Sequence, residues 1–558
     1  MKNRLKVLWL TNIPSPYRVD FFNEFGKYCD LTVLFEKRAS AERNKSWQNY
    51  KIINFKAVFL KGISVGVAES ICPGIIKYLN KKKYDKFFVT NYSDISGILA
   101  IAVMKIRRIS YIIEGDGAFE GSGDGIKEKF KKWIISDAEL CFSTSEEHDK
   151  YYKRYGANNI IRYPFTSVKE EDLLSTLQVT NKDRILLRNS MKISERTSIL
   201  FFGDFLRHDL FEKNCEMIEK LINIMSNQPE VLLIGEEFYI GYIQWENERD
   251  NIHLIINETE DNLAKYYIVA DGLIILNNCN YMTNIIGRAM FFGMSVIVSA
   301  KCIDEVKLRC GNFISYVFEL ERILNQSDFA KIIKENKDRS IKPERQILTL
   351  IKKNQCLNLE QYIWILRNIV RELEKNKLGI AEHNVILSVG QFIYRKGFDI
   401  LIKSAKQLNK EIGVYIVGGI PSSEYLKIAD GISNIYFVDF KSKNELSSYY
   451  KAADLFVLPT REDIWGLVIN EAMTFMLPII TTNRCVAGLE LVSENGFIVD
   501  VGDYEAIARK ANIILANPKE YALNSFKYIQ NYTIEKMAKR HNDVLVNSGD
   551  KEVINKDY

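Results

Sequence analysis

The feature that most limits how this chain can fold is a repeat at a constant offset. Asn251-Ile252 returns as Asn434-Ile435, Leu263 as Leu446, Tyr266-Tyr267 as Tyr449-Tyr450, and Ala270-Asp271 as Ala453-Asp454. The offset is 183 (454 − 271), and it carries on through Ala289-Met290 with Ala472-Met473 and Phe292 with Phe475. Of the 48 positions from 251 to 298, 12 are identical to 434–481 without a gap. Similarity at fixed offset over that length means one supersecondary unit used twice. Residues 199–203 parallel 386–390 as apolar strands, at an offset of 187 (386 − 199). Each unit alternates strand with helix, the pattern of a parallel sheet covered on both faces.

The first 165 residues alternate likewise. Candidate strands fall at 6–11, 30–35, 86–90, 110–114 and 140–143, with helical segments such as 19–25 and 126–135 between them. The expected fold is α/β, with Rossmann-like doubly wound domains at 1–165, 196–375 and 380–548. Residues 166–195 are expected to connect the first two, charged helical sequence at 342–377 leads into the last, and 549–558 form a loose tail.

Composition excludes several classes. Lys plus Arg less Asp plus Glu is 76 − 71 = +5, too weak a balance for nucleic-acid binding by charge. The nine cysteines include no CxxC pair, which fits reduced, buried thiols rather than a disulfide framework. With 5 histidines scattered along the chain, a histidine metal site is not expected. No apolar run reaches the roughly 18 residues of a membrane span, so a cytoplasmic protein is expected. Lys127, Lys129, Lys131 and Lys132, with Lys81-Lys82-Lys83 and Arg107-Arg108, could still give the first domain a basic face for peripheral contact with an anionic inner membrane surface. A charge run is more often simply a solvated face.

Chemistry concentrates in residues 453–473. A buried strand at 455–458 is stopped by Pro459-Thr460, and a loop with Glu462 and Asp463 follows. A helix then begins near Val468 and carries Glu471. In an open parallel sheet, ligands bind beyond the carboxyl ends of the strands against helix N-termini, where the dipole favours anions. A phosphate-bearing ligand fits such a place. The plain alternative is two acids capping a solvated helix start.

The spacing acid-x7-acid, with Gly466 and an aromatic inside it and Ala472-Met473 after it, resembles the retaining glycosyltransferases of family 4. The opening Thr11-Asn12-Ile13-Pro14-Ser15-Pro16-Tyr17-Arg18 is similar to capsule- and O-antigen-type members. The resemblance implies the GT-B fold and a sugar donor of the UDP- or GDP-linked kind, with no metal or other cofactor. Glu471 would hold the ribose and Asp463 the donor sugar. Gly390 and Gln391 would open the phosphate loop, and Arg395 and Lys396 would neutralise the diphosphate. Gly419, Phe440 and Leu446 would line the nucleotide cleft, with Gly466, Leu467 and Val468 at the helix start. The acceptor would be a glycan, lipid-linked in cell-surface polysaccharide synthesis, approached from a first-domain loop by Asp116 or, next, Glu114. His148 reads as solvated on a charged helix.

Two departures bear on this expectation. Gln391 stands where many family members have arginine, and Met476 where they have glycine. The middle unit places Asn280 opposite Asp463, Arg288 opposite Glu471, and His208-Asp209-Leu210 near Arg395-Lys396-Gly397. It therefore reads as a degenerate copy of the donor domain. Two rivals remain: a non-catalytic scaffold or partner subunit, and a phosphorylase or hydrolase of similar fold.

Overall fold

A computed structural model describes residues 4–38, 50–65, 69–121, 123, 125–175, 177–196, 198–202, 205–224, 228–235, 237–256, 258–276, 285, 288–289, 291–292, 294–298, 317–319 and 359–546. The expected tail at 549–558, Asn280 and residues 342–358 of the connector 342–377 lie outside them. The chain divides into two compact units, 1–173 with 380–558, and 174–379.

The first unit holds two parallel sheets. The N-terminal sheet has seven strands: β1 (Lys6–Thr11), β2 (Asp30–Phe35), β3 (Lys56–Phe59), β6 (Lys86–Val89), β7 (Ile112–Glu114), β8 (Leu140–Ser143) and β9 (Ile160–Arg162). A small hairpin, β4 (Ile63–Val65) with β5 (Glu69–Ile71), lies outside that sheet. The sheet order is β3-β2-β1-β6-β7-β8-β9, all parallel, so the direction of winding reverses between β1 and β6. That reversal opens a crevice at the carboxyl ends of β1 and β6. Helices α1 (Pro16–Phe25), α2 (Ile95–Ile106), α3 (Ile126–Ile135) and α4 (Glu146–Arg154) accompany it. Pro16 at the first helical position suits α1, because its missing N–H would have had no partner there.

The middle unit carries β10 (Ser198–Phe202), β11 (Glu230–Gly235), β12 (Ile252–Ile256), β13 (Gly272–Ile275), β14 (Ser295–Val298) and β15 (Val317–Glu319) in the order β12-β11-β10-β13-β14-β15. Back in the first unit, the last sheet comprises β16 (Asn384–Val389), β17 (Ile412–Val417), β18 (Ile435–Val438), β19 (Leu455–Leu458), β20 (Ile479–Thr482) and β21 (Gly496–Val499). Its order, β18-β17-β16-β19-β20-β21, is the same as that of the middle sheet. The two sheets also share specific bonds. Asp271 accepts from the Ser198 amide at 2.8 Å, and Asp454 from the Val385 amide at 2.9 Å. Asn251 and Asn434 each donate a side-chain bond across to the preceding strand, to Pro229 and Ile412.

The strands read from the sequence are all present, with ends moved by up to two residues. In the N-terminal part, β3, β4, β5 and β9 were not anticipated: each has only three or four residues, and β3, β5 and β9 carry a Lys, Glu or Arg. One expectation is overturned. His148 is buried, not solvated. It lies on the inner face of α4, stacked on Tyr152 at 4.3 Å, and its Nδ1 accepts the Thr144 amide at 3.3 Å. Glu146 and Lys150 are exposed, whereas Asp149 is buried beside His148 and pairs with Arg162 at 2.8 Å.

The closing helix Ile534–Val546 returns to the N-terminal domain and packs on α1. It is seated by His541, whose ring stacks on Phe142 at 4.2 Å within a cage that includes Trp9, Phe21 and Phe88. His541 Nδ1 donates to the Met537 carbonyl at 2.8 Å, which spends its proton inside the helix. Burial pushes the pKa of both His148 and His541 down to about 3.

This makes the fold acid-sensitive in a defined window. Both imidazoles are neutral when folded but take up protons below about 6.5 when unfolded, so their stabilisation is complete above that pH and falls as the pH drops. Each should cost about 1.4 kcal/mol per pH unit, or roughly 3 kcal/mol together between pH 7.5 and 5.5. Urea midpoints at the two pH values test this, and His541→Gln should remove about half of the difference.

Candidate functional site at the cleft of the first unit

The crevice of the last sheet opens between β16 and β19, the strands where its order reverses. After β16 the chain passes Gly390, makes a tight turn at Tyr394–Lys396, and enters the helix Phe398–Ala405 through Gly397. Gly397 is required there. Its φ is +70°, and a Cβ would lie 2.0 Å from the Pro459 carbonyl oxygen. Gly418 at the end of β17 is equally confined, with the Gly390 carbonyl 1.9 Å from where its Cβ would be. Gly419 beside it faces open space.

The loop after β19 is fastened to the turn after β16. The Arg395 carbonyl accepts from the Arg461 amide at 2.8 Å and from Thr460 Oγ1 at 2.9 Å. Arg461 then pairs with Asp399 through both guanidinium nitrogens, at 2.7 and 2.8 Å, holding that carboxylate below its usual range against the effect of burial. On this frame Lys396 Nζ lies 2.6 Å from Asp463 Oδ2, and Arg395 Nη1 lies 3.4 Å from Oδ1. Asp463 is fixed by its backbone as well, through bonds to Arg484 and Val486. Its carboxylate is nearly buried, whereas 47% of the Arg395 side chain remains exposed and able to meet a ligand.

Gly466, at φ +103°, turns the chain into the helix Leu467–Thr474, so the amides of Leu467 and Val468 open that helix beside Asp463. Trp465 anchors the turn: it is buried against Phe165 at 5.3 Å and donates to Asn470 at 2.8 Å. Glu471 accepts the Tyr450 hydroxyl at 3.0 Å. Burial raises its pKa, with Tyr450 and Lys443 acting in the opposite direction. Just past the helix, Met476 takes φ +58°, a left-handed conformation that costs methionine on the order of 1 kcal/mol more than glycine. Full burial of its side chain offsets that strain.

Across the cleft, the N-terminal domain presents a polar chain at the ends of β1, β6 and β7. Trp9 donates to Thr90 and Thr90 to Glu114, which is buried. Arg18, also buried, bridges Glu114 at 2.7 Å and Asp116. Tyr17 donates to the other Asp116 oxygen at 2.8 Å, and Tyr163 to Glu114 at 2.6 Å. Asp116 is thus held by two donors and stays partly exposed. Next to it, Gly117 (φ +130°) runs so close to the Asp463 loop that a Cβ would lie 2.0 Å from the Ile464 carbonyl oxygen. The guanidinium of Arg484 lies over the Phe119 ring at 4.4 Å.

The residues picked from sequence therefore sit as follows. Arg395, Lys396 and Asp463 form one ion-paired cluster, with Gly466, Leu467 and Val468 beside it and Asp116 on the facing loop. Gly390 lines the same crevice. Gln391, Gly419, Phe440 and Leu446 lie on the loops or helix that follow β16, β17 and β18, and no described hydrogen bond, ion pair or ring contact joins Phe440 or Leu446 to Glu471. The sequence reading overlooked the supporting groups Arg18, Tyr450 and Arg461. Arg18 had a visible signal, a cation in the first turn of a helix that directly follows a strand-end loop.

Residues 370–531 match the family model described as Glycosyl transferases group 1. An uncharacterized glycosyltransferase of Haemophilus influenzae is 33% identical over 183 residues, covering 31% of this chain and 52% of that protein. The Staphylococcus aureus capsular polysaccharide biosynthesis glycosyltransferase CapM is 32% identical over 152 residues, 25% of this chain and 40% of its own. The Escherichia coli lipopolysaccharide glucosyltransferase WaaG is 32% identical over 123 residues, 21% and 32% respectively. The chain spans about half or less of the length of these relatives. Residues 370–531 are thus similar to group 1 glycosyltransferases. Among solved structures, Anabaena HepE in complex with UDP superposes with TM-score 0.48 at 11% identity, covering 97% of this chain and 100% of that one. The fold is α/β, with two Rossmann-like parallel sheets in the first unit and a third in the middle unit.

The Lys396–Asp463 pair gives a direct test of the site's construction. Lys396→Met leaves a largely buried carboxylate without its close partner and should cost about 3 kcal/mol of stability. Asp463→Asn in the same chain should restore most of that loss, as read by urea unfolding of the two single variants and the double variant.

Proposed function

We propose that the protein is a retaining glycosyltransferase that moves a sugar from a UDP- or GDP-sugar to a lipid-linked glycan during cell-surface polysaccharide synthesis. The observation that carries this reading is the cluster of Arg395, Lys396 and Asp463 at a helix start in the sheet's crevice, facing Asp116 across a gap that Gly117 narrows. The group 1 match over the same residues and the capsule and lipopolysaccharide relatives support it.

In this reading the donor diphosphate lies between Arg395, Lys396 and the amides of Leu467 and Val468. Those groups stabilise the negative charge that grows on the diphosphate as the bond from the sugar's anomeric carbon to it breaks, the largest catalytic contribution expected. Asp463 already holds both cations in place, so they need little reorganisation when the anion arrives. Glu471 accepts from the ribose hydroxyls, and Asp463 from hydroxyls of the sugar. The acceptor hydroxyl attacks the anomeric carbon on the face from which the diphosphate departs, and its proton passes to the departing phosphate oxygen. Asp116, fixed by Arg18 and Tyr17, orients that acceptor. The close approach of the two loops keeps water from competing with it. The middle domain, with Arg288 in the place of Glu471, takes no part in the chemistry.

Thermal unfolding with UDP, GDP and ADP tests the proposal. At 100 times its dissociation constant a nucleotide adds about 2.7 kcal/mol, and one of the three should do so for the wild type. Glu471→Ala should abolish the effect. A shift retained in that variant would move the site elsewhere, and no response to any of the three would leave a non-catalytic scaffold as the better reading.

A further inference from the structure

Glu471 is held chiefly by one hydroxyl. It lies on the helix Leu467–Thr474 and keeps partial exposure, and Tyr450 donates to its Oε2 at 3.0 Å. Tyr450 comes from a different helix, Lys443–Ala452, and is itself buried. Burial and the neighbouring carboxylate push the phenol well above its ordinary pKa, so it stays a donor throughout the neutral range. Three other groups face Glu471. Ser167, between β9 and the helix Glu170–Ser175, offers a hydroxyl, Lys443 a positive charge and Asp172 a negative one. Lys443 is 74% exposed and engaged by Asp172 at 3.2 Å, so these two charges oppose each other at Glu471 and such an exposed pair contributes little. Desolvation raises the Glu471 pKa, and the Tyr450 bond is the largest influence against it.

The duplicated sheet separates what the ring of Tyr450 does from what its hydroxyl does. Tyr450 recurs as Tyr267 (450 − 183) and Phe475 as Phe292 (475 − 183). Both pairs stack, Tyr450 on Phe475 at 5.1 Å and Tyr267 on Phe292 at 5.8 Å, with the planes 3° and 15° apart. In the middle unit the acid is gone. Arg288 stands in the place of Glu471, and its guanidinium lies over the Tyr362 ring at 5.4 Å. The stack is kept with or without the carboxylate, so the ring belongs to the fold. A bond from this tyrosine to a carboxylate at this place exists in the last domain alone.

We propose that Tyr450 is a positioning residue that holds the Glu471 carboxylate ionised and oriented as the acceptor for the ribose hydroxyls of a nucleotide. The ribose part of this rests on the transferase reading; the hold on Glu471 rests on the geometry. With Oε2 tied to Tyr450 the carboxylate has little freedom to rotate, and an ionised carboxylate accepts a hydrogen bond more strongly than a neutral carboxyl. Without the hydroxyl, desolvation acts on a group that has lost its closest described donor. Glu471 then takes up a proton at a higher pH, and its strength as an acceptor falls as the pH drops.

Tyr450→Phe keeps the ring and its stack and removes only the hydroxyl. Titration calorimetry of the full chain with UDP, GDP and ADP, at about pH 8 and about pH 6, gives the ratio of variant to wild-type dissociation constants at each pH, which cancels the nucleotide's own titration. For the nucleotide that binds, the ratio should stay below about threefold at the higher pH and reach at least about tenfold at the lower, where roughly a tenth of the variant's carboxyl remains ionised. An equal ratio at both pH values, or a larger one at the higher pH, would overturn the proposal. A second readout needs no ligand. Raising the folded-state pKa of a carboxyl makes the folded chain hold a proton that the unfolded chain releases, so that stability falls as the pH rises. The drop in urea midpoint caused by Tyr450→Phe should therefore be larger at the higher pH. In a Glu471→Gln background the drop should be the same at both. A drop independent of pH with Glu471 in place would reduce Tyr450 to packing and overturn the proposal. If no nucleotide binds the wild type while the pH-dependent drop is present, the ribose role falls with the transferase reading and the hold on Glu471 stands.

Discussion

The carbonyl oxygen of Arg395 fastens the site together. It receives the Arg461 amide and the Thr460 hydroxyl, and so ties the turn after β16 to the loop after β19. Everything that bears charge in the crevice depends on that junction. Arg395 and Lys396 lie on one side of it and Asp463 on the other, and a shift of about 1 Å between the two loops would weaken both ion pairs. Gly397 makes the junction possible, since any side chain there would drive the Pro459 carbonyl away. The site is therefore set by backbone geometry first, and charges are added to a frame that is already rigid.

The facing half is built differently. Arg18 carries a full charge into the interior of the N-terminal domain, which is favourable only because two carboxylates and two tyrosine hydroxyls surround the group. Its own charge is held more firmly than usual by Asp116 and Glu114, against the desolvation that opposes it. A network satisfied at every member is stiff. It delivers Asp116 to the rim of the cleft with little freedom. One domain thus uses backbone junctions and the other a buried charge network to hold the two sides of the same crevice.

The architecture was largely legible because parallel strands buried on both faces must be continuously apolar. β8 and β19 are read from four-residue runs such as Leu455-Phe456-Val457-Leu458. The repeat then fixed which strands correspond. The loop acids and cations could be read because they punctuate strand ends, where few residues have a packing reason to be charged. His148 could not be read, because its neighbours Glu146, Glu147 and Asp149 read as a solvated face although Asp149 is buried with it, and periodicity alone does not say which way a histidine between them turns. Tyr450 was visible as a repeated residue, but its bond to Glu471 joins positions 21 apart on different helices. Contacts of that kind are created by the fold and leave no local mark.

The comparison of the middle and last sheets separates what the fold needs from what the site needs. Asp271 and Asp454 bind the equivalent strand amide, and in the middle unit Arg184 and Arg188 complete the clamp on Asp271 at 3.0 and 2.7 Å. Arginines recur at the same offset of 183, Arg367 and Arg371 (367 − 184), although the helices that carry them are otherwise unlike. Asp271 and Asp454 lie at the amino ends of the strands, where each holds its own sheet. At the carboxyl ends the two domains diverge. Gly418 receives the Gly390 carbonyl, whereas Gly235, its counterpart, is covered by Phe205 and Phe238, whose rings stack at 5.2 Å. Aromatic rings occupy the space where the last domain brings backbone close to backbone. A sheet can fill its crevice in this way without losing stability, because apolar side chains there add burial.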